Sequence, residues 1–292
     1  MMKLLKSMMV ALIATTIGLG TMFLAGGEGP QVFGLPVMVV CGLLAYAVNW
    51  IAFVPAALAQ TEKYYDLMGS VSYLVTIVAA CLLSAPLHER ALVVAVLVII
   101  WTVRLGSFLF ARIRADGQDK RFTEIRSNPA RFFVTWTIQG AWVTLTAAAA
   151  FMIITSADTA PLGAAFYAGV VMWVVGFAFE AVADSQKKAF RNNPENKGKF
   201  IQSGLWAWSR HPNYFGELLL WSGIFVISIP LLSGMEWIVL ISPVFVYFLL
   251  TKVSGIPLLE KLGKKRWGED PSYQAYLKRT SRLLPLPPSN AR

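Results

Sequence analysis

The sequence predicts an all-α, polytopic membrane helical bundle of about eight transmembrane helices with both termini cytoplasmic, and three observations predict it. The first is composition: 56% of the residues are hydrophobic and 14% charged, with a mean hydropathy of +0.57, a balance that suits a lipid-embedded chain rather than a water-soluble domain. The second is length. Apolar runs of about 20 residues, enough to cross about 30 Å of hydrocarbon, recur at 8–25, 33–57, 67–85, 91–111, 132–156, 161–182, 214–233 and 236–257. The third is charge: 24 of the 26 Lys and Arg residues lie at the termini or in alternate connections, as expected of segments retained in the cytoplasm.

The first span follows Lys3 and Lys6. Its charged start, apolar middle and small-residue end have the pattern of a secretory signal cleaved after Ala25. The run from Met8 to Ala25 is long for a signal core, and an even span count keeps the basic C-terminal region inside, so it is read as a retained helix. Residues 1–60 form N-terminal transmembrane helices preceding a larger membrane domain over 61–292. Cys41 and Cys81 fall in apolar runs and read as packed thiols. With only His88 and His211, no metal-ligand spacing is present.

Span three opens with Glu62, Asp66, Gly69 and Tyr73 on one helical face. Two carboxylates and a phenol around a glycine gap suit a hydrogen bond to a ligand carbonyl or a proton relay; they equally suit helix packing with a capping acid. Span four carries Trp101, Arg104, Phe108 and Arg112 along one stripe. Arg112 is placed to snorkel. Arg104 lies more than two turns deeper and requires an acceptor inside the bundle, for which Asp66, Glu180, Asp184 and Glu217 are candidates.

On span six, Glu180, Asp184, Lys187 and Arg191 fall at i, i+4, i+7 and i+11, either as pairs that stabilise a helix end or as a polar stripe facing a ligand. Span seven starts at Pro212, a residue suited to a first helical turn. Asn213 and Glu217 lie one turn apart on it, after Trp206, Trp208, Arg210 and His211. Tryptophan anchoring at an interface accounts for the first two of these, not for Arg210, His211, Asn213 and Glu217 together. Such side chains at a helix N-terminus form an anion and amide receptor. The net charge of +10 follows mainly from membrane topology, which argues against a nucleic-acid partner. Cytoplasmic Arg and Lys also suit a ligand bearing phosphates.

Asp184-Ser-Gln-Lys-Lys, Asn193-Pro-Glu-Asn-Lys-Gly-Lys-Phe, Gly204-Leu-Trp-Ala-Trp-Ser-Arg-His-Pro-Asn-Tyr-Phe-Gly-Glu217 and Val253-Ser-Gly-Ile-Pro-Leu-Leu-Glu260 together resemble the DUF1295 branch of the steroid 5-alpha-reductase-like membrane proteins, over about residues 60–285. The resemblance implies a helical bundle that takes NADPH from the cytoplasmic side and delivers hydride to an activated C=C bond of a steroid-like or other lipophilic enone in the membrane. It implies cofactor-binding roles for Asp184 and Arg191 and, at the nicotinamide end, for Asn213 and Glu217, with Arg210, His211 and Tyr214 as neighbouring motif members. Arg112 corresponds to a phosphate-side position, and Arg279 or Arg282 to a basic residue near the C-terminus. Arg104 joins this set as the inward cation of span four. The family's ketone-polarising tyrosine aligns near Trp101, so Tyr73 or Tyr65 with Asp66 would stand in, and Asp66, Tyr73 and Glu62 are the expected catalytic side chains.

A multi-pass inner-membrane location of bacterial type, a lipophilic small-molecule substrate and membrane lipids as surroundings follow from the same reading. A membrane methyltransferase of the isoprenylcysteine or phospholipid type is the rival, since it shares an Arg-His-Pro-x-Tyr element but binds S-adenosylmethionine. Asn213 and the Gly216-Glu217 pair favour the reductase. A non-enzymatic lipid-binding or transport protein is the remaining class; the one-sided polar loops and the lack of paired broken helices count against it.

Overall fold

The computed structural model of the chain describes residues 2–27, 29–119, 122–157 and 160–288. Among these, seven helical segments are long and apolar enough to cross a membrane, and a bent pair supplies an eighth, in agreement with the spans read from hydropathy. Contacts divide the chain into two units, Met1–Gly163 with Ser228–Ser242, and Ala164–Ile227 with Pro243–Arg292.

In the first unit, α1 (Met2–Gly26) packs on α2 (Val37–Leu58) and α5 (Pro129–Thr146), α2 packs on α3 (Tyr65–Leu83), and α3 packs on α4 (Glu89–Asp116). A small hairpin, β1 (Gln31–Val32) and β2 (Leu35–Pro36), links α1 to α2. Helix ends carry local signals. The His88 side chain accepts from the Ala91 amide at 3.2 Å to start α4, and Asn128 does the same for Arg131 at 3.1 Å ahead of α5, with Pro129 at the first helical position.

The fifth span departs from the continuous helix predicted over 132–156. It breaks at Ala147 into α5 and α6 (Ala148–Thr155), bent by 53°. Neither proline nor glycine sits at the break. The Ser242 hydroxyl donates to the Thr146 carbonyl, an insertion into the helical ladder that bends the helix while leaving the freed carbonyl satisfied, as hydrocarbon surroundings require. The eighth span is also segmented: a 3₁₀ turn over Gly234–Leu240, α10 (Ile241–Phe248), a π turn over Leu249–Val253, and α11 (Ile256–Trp267).

In the second unit, α7 (Ala164–Asn192) and α9 (Pro212–Ser228) meet backbone to backbone. A Cβ on Gly176 would lie 2.6 Å from the Gly216 carbonyl oxygen and the Leu220 nitrogen, and one on Gly216 would lie 2.5 Å from the Glu180 nitrogen. Small residues permit this approach, the usual means of joining helices where lipid offers no hydrophobic drive. It sets Glu180 and Asp184 of α7 beside the first turns of α9. α8 (Leu205–Trp208) and α12 (Pro271–Arg279) complete the unit.

The Gly176→Val protein is expected to unfold at lower temperature in detergent, with a loss of about 1–3 kcal/mol. Gly20→Ala, where nothing lies within 4 Å of the added Cβ, changes stability by less than ~1 kcal/mol. Equal melting temperatures for the two variants would contradict the close approach of α7 and α9.

Candidate functional site

The second unit builds its polar cluster around a segment that leaves α8 at Trp208, is extended at Ser209 and runs to His211, held against a C-terminal strap over residues 281–286. The Arg210 amide donates to the Ser281 carbonyl at 2.8 Å and the Leu286 amide to the Trp208 carbonyl at 3.2 Å. Ser209 is buried, its hydroxyl donating to the Leu283 carbonyl at 2.8 Å and accepting from the His211 amide at 3.1 Å. Pro212 then starts α9, which fixes where Asn213 and Glu217 emerge.

Asn213 Nδ2 donates to Asp184 Oδ1 at 3.2 Å. Asp184 is buried on α7 with Glu180, one turn away. The bond sets the orientation of the carboxamide, with its nitrogen turned to the acid. Glu217 lies one turn further along α9 and is half-buried. Glu260 on α11 bridges two cations: Arg210 Nη1 lies 3.3 Å from Oε1, while Arg282 reaches Oε1 with Nε at 3.1 Å and Oε2 with Nη2 at 2.9 Å. The fork geometry orients the Arg282 guanidinium, and the shared carboxylate holds Arg210 beside it.

His211 is buried and stacks on Tyr214 with ring centroids 5.7 Å apart and planes 8° from parallel. Burial, with the cations of Lys187, Arg210 and Arg282, pushes its imidazole down to about 3 from the ordinary 6.5. It is therefore neutral at physiological pH. Lys187 sits over the Trp206 ring at 4.7 Å. The Trp206 indole donates to the Ala183 carbonyl at 3.0 Å, and the Tyr276 hydroxyl donates to the Trp206 carbonyl at 2.8 Å. Arg191, in the last turn of α7, and Arg279, at the end of α12, are exposed; Arg279 Nη2 donates to Gln202 Oε1 at 2.6 Å.

Among the described residues, the buried Nε of Arg210, Nδ1 of His211 and Oγ1 of Thr280 have no hydrogen-bond partner. Orphaned polar atoms of this kind are costly in a buried setting. The Arg210 and Thr280 atoms can donate, and Nδ1 of the neutral imidazole can donate or accept according to its tautomer. This chemistry suits a polar ligand.

The first unit brings together Asp66 and Arg112, whose Oδ2 and Nη2 lie 3.3 Å apart. Arg112 thus turns inward to a carboxylate instead of snorkelling alone. Arg104, half-buried, lies over the Phe108 ring at 5.3 Å. Tyr73 is buried between Trp101 and Trp142, edge to face with each at 5.3 and 5.1 Å. Glu62 differs from its expected place on the α3 face, since α3 begins only at Tyr65. Its carboxylate accepts from the Asp119 amide at 2.9 Å and from Arg126 Nη1 at 2.6 Å, so it clasps the connection after α4. The gap at Gly69 is filled by the Gln139 side chain, whose Nε2 donates to the Tyr65 carbonyl at 2.8 Å.

The sequence pattern did not indicate the bridging role of Glu260, the pinning role of Ser209, or the filling of the Gly69 gap by Gln139. Each depends on a partner 22 to 74 residues away in the chain, and the spacing within its own element does not name that partner.

The family model described as "Protein of unknown function (DUF1295)" matches residues 52–280. The chain belongs to the DUF1295 family. This DUF1295 protein is also 37% identical over 68 residues to the "Probable O-methyltransferase ustE" of Ustilaginoidea virens, a match covering 23% of this chain and 24% of that protein. The DUF1295 chain thus spans about a quarter of the curated relative it matches. No solved structure matches it. Family, partial relative and apolar helices together fit a multi-pass membrane enzyme.

His211 yields a pH prediction. Its native pKa lies below the unfolded value of 6.5, so the unfolded chain binds the proton more tightly. The resulting stability is complete above pH ~6.5 and is lost as pH falls toward ~3, with about 3 kcal/mol gone by pH ~4. Denaturant midpoints measured across this range should fall for the unaltered protein and flatten by that amount in His211→Gln. An unchanged slope in the variant would remove His211 as the source.

Proposed function

We propose that this chain is an integral membrane NADPH-dependent reductase, acting on the activated C=C bond of a steroid-like or other lipophilic enone, with the second unit holding the cofactor at the cytoplasmic face of a bacterial-type inner membrane. The observation that carries the proposal is the Asp184–Asn213 hydrogen bond one turn from Glu217. An oriented carboxamide beside a carboxylate offers paired donor and acceptor groups that can complement a nicotinamide carboxamide.

Charge supports the same choice. Arg282, forked onto Glu260, Arg210, paired with the same carboxylate, and the nearby Lys187 suit the several negative charges of a phosphorylated dinucleotide. S-adenosylmethionine instead carries a sulfonium cation, which such a cluster repels. His211, neutral at physiological pH, adds no charge to this balance and offers a ring surface stacked on Tyr214.

The hydride would come from the bound NADPH, while the protein's part is to orient the cofactor and exclude water. Asp184 aligns Asn213, Glu260 aligns Arg210 and Arg282, and the Ser209 contacts keep the segment extended. In the first unit, Asp66 and Tyr73 are the side chains assigned to substrate. Asp66, paired with Arg112, is placed as an acceptor, and Tyr73 brings a phenol to an aromatic setting. Glu62 is left out of this assignment because both its carboxylate oxygens are committed to Arg126 and the Asp119 amide.

A second reading, a membrane methyltransferase, is favoured by the partial match to the relative named as a probable O-methyltransferase. Equilibrium binding separates the two readings. NADPH should quench tryptophan fluorescence saturably, while calorimetry with S-adenosylmethionine shows no heat of binding. Asn213→Ala and Glu217→Ala should each weaken NADPH by at least about tenfold, the scale of a lost charged hydrogen bond, in proteins that still fold and unfold cooperatively. Saturable binding of S-adenosylmethionine alone would replace the reductase with the methyltransferase. Full NADPH affinity in both variants would refute the site.

A further inference from the structure

The first unit carries a cleft of about 380 Å³ lined by Lys63, Tyr64, Phe110, Ile113, Arg114 and Gly117, formed where α3 begins and α4 ends. Two arginines, separated by Ile113, divide there. Arg112 turns to Asp66 at 3.3 Å, whereas Arg114 is exposed and lies over the Phe110 ring at 5.8 Å. Lys63 is exposed as well, and no carboxylate partners Lys63 or Arg114 among the described residues. Tyr64 and Phe110 stack at 6.3 Å, with ring planes 26° apart, and form an aromatic shelf in the cleft wall.

Two further features converge on this place. α3 starts at Tyr65 after Tyr64, with no side-chain hydrogen bond capping its first turn and with that turn's Asp66 held by Arg112, so the remaining positive end of its dipole adds to the two cations there. On α4, Leu92, Val96, Ile100 and Val103 are exposed. With Ser107, Phe110 and Arg114 they follow one another at three- and four-residue steps along a single face. This apolar track runs the length of the helix and ends at the cationic cleft.

We propose that the cleft binds one anionic phospholipid, its phosphate between Lys63 and Arg114 and an acyl chain passing over the Tyr64–Phe110 shelf onto the α4 track. Charge complementarity selects the headgroup: two cations without carboxylate partners attract an anionic lipid and discriminate against a zwitterionic one. The aromatic shelf matches the depth at which rings sit beside headgroups, and the exposed α4 face provides chain-length contact that a free phosphate ion would not use.

The test is native mass spectrometry of the full chain in detergent, titrated with dioleoylphosphatidylglycerol, with dioleoylphosphatidylcholine as the zwitterionic comparison. One phosphatidylglycerol should bind more tightly than those that follow it, and phosphatidylcholine should show no such first step. Lys63→Gln with Arg114→Gln should weaken that step about thirtyfold, and Tyr64→Ser, which keeps both charges, should weaken it about threefold. Lys261→Gln with Lys265→Gln, removing equal charge from exposed positions of α11, should leave it within twofold. Equal losses in the two charge variants, or full affinity in Lys63→Gln with Arg114→Gln, would overturn the site. Displacement of the lipid by millimolar inorganic phosphate would overturn the lipid as its occupant.

Discussion

In hydrocarbon there is no water to satisfy a polar group, so each one must find its partner within the protein. This constraint explains more of the structure than any single contact does. It explains why the bend between α5 and α6 receives a serine hydroxyl at the Thr146 carbonyl, why Asn49 on α2 donates to the Ala45 carbonyl and Ser72 at 2.8 and 3.2 Å, and why Arg112 near the end of α4 is matched by Asp66 on α3. Where helices touch without polar contacts they do so through glycine, as at Gly176 and Gly216. Dispersion over a close backbone contact then replaces a hydrophobic drive that lipid does not provide.

The same constraint gives the second unit its character. A buried segment carrying Arg210, His211 and Asn213 is tolerable only because Glu260, Asp184 and the strap carbonyls of Ser281 and Leu283 meet most of its needs. The atoms left over, on Arg210, His211 and Thr280, are the kind a ligand satisfies. Keeping His211 neutral lets this segment hold guanidiniums close by without a further buried positive charge. Contacts of this kind hold the segment's geometry before any ligand is present.

Neighbouring charges serve different tasks throughout. Glu62 and Asp66 share a four-residue spacing, yet one clasps the connection at Asp119 and Arg126 while the other pairs with Arg112. Arg112 and Arg114 lie two residues apart and turn to different surroundings, one toward an acid and the other over an aromatic ring in a cleft. On a helix, two residues correspond to about 200° of rotation, so a small sequence separation changes what a charge can meet.

The sequence by itself determined the class of the protein, its seven or eight apolar spans, its family and the segment that holds the candidate site. These rest on local quantities: apolar run length, the placement of Lys and Arg, and the order of residues from Trp208 to Glu217. The spacing of Asp184 on α7 and of Asn213 and Glu217 on α9 was also legible, because helical periodicity alone sets which residues share a face. Only the tertiary structure decided which of these polar groups meet. The pairing of Asp184 with Asn213, the bridge at Glu260, the bend imposed by Ser242 and the diversion of Glu62 to Arg126 all join residues distant in the chain. Periodicity assigns a side chain to a face of its own helix, whereas the partner it finds depends on how closely, and at which residues, two helices cross.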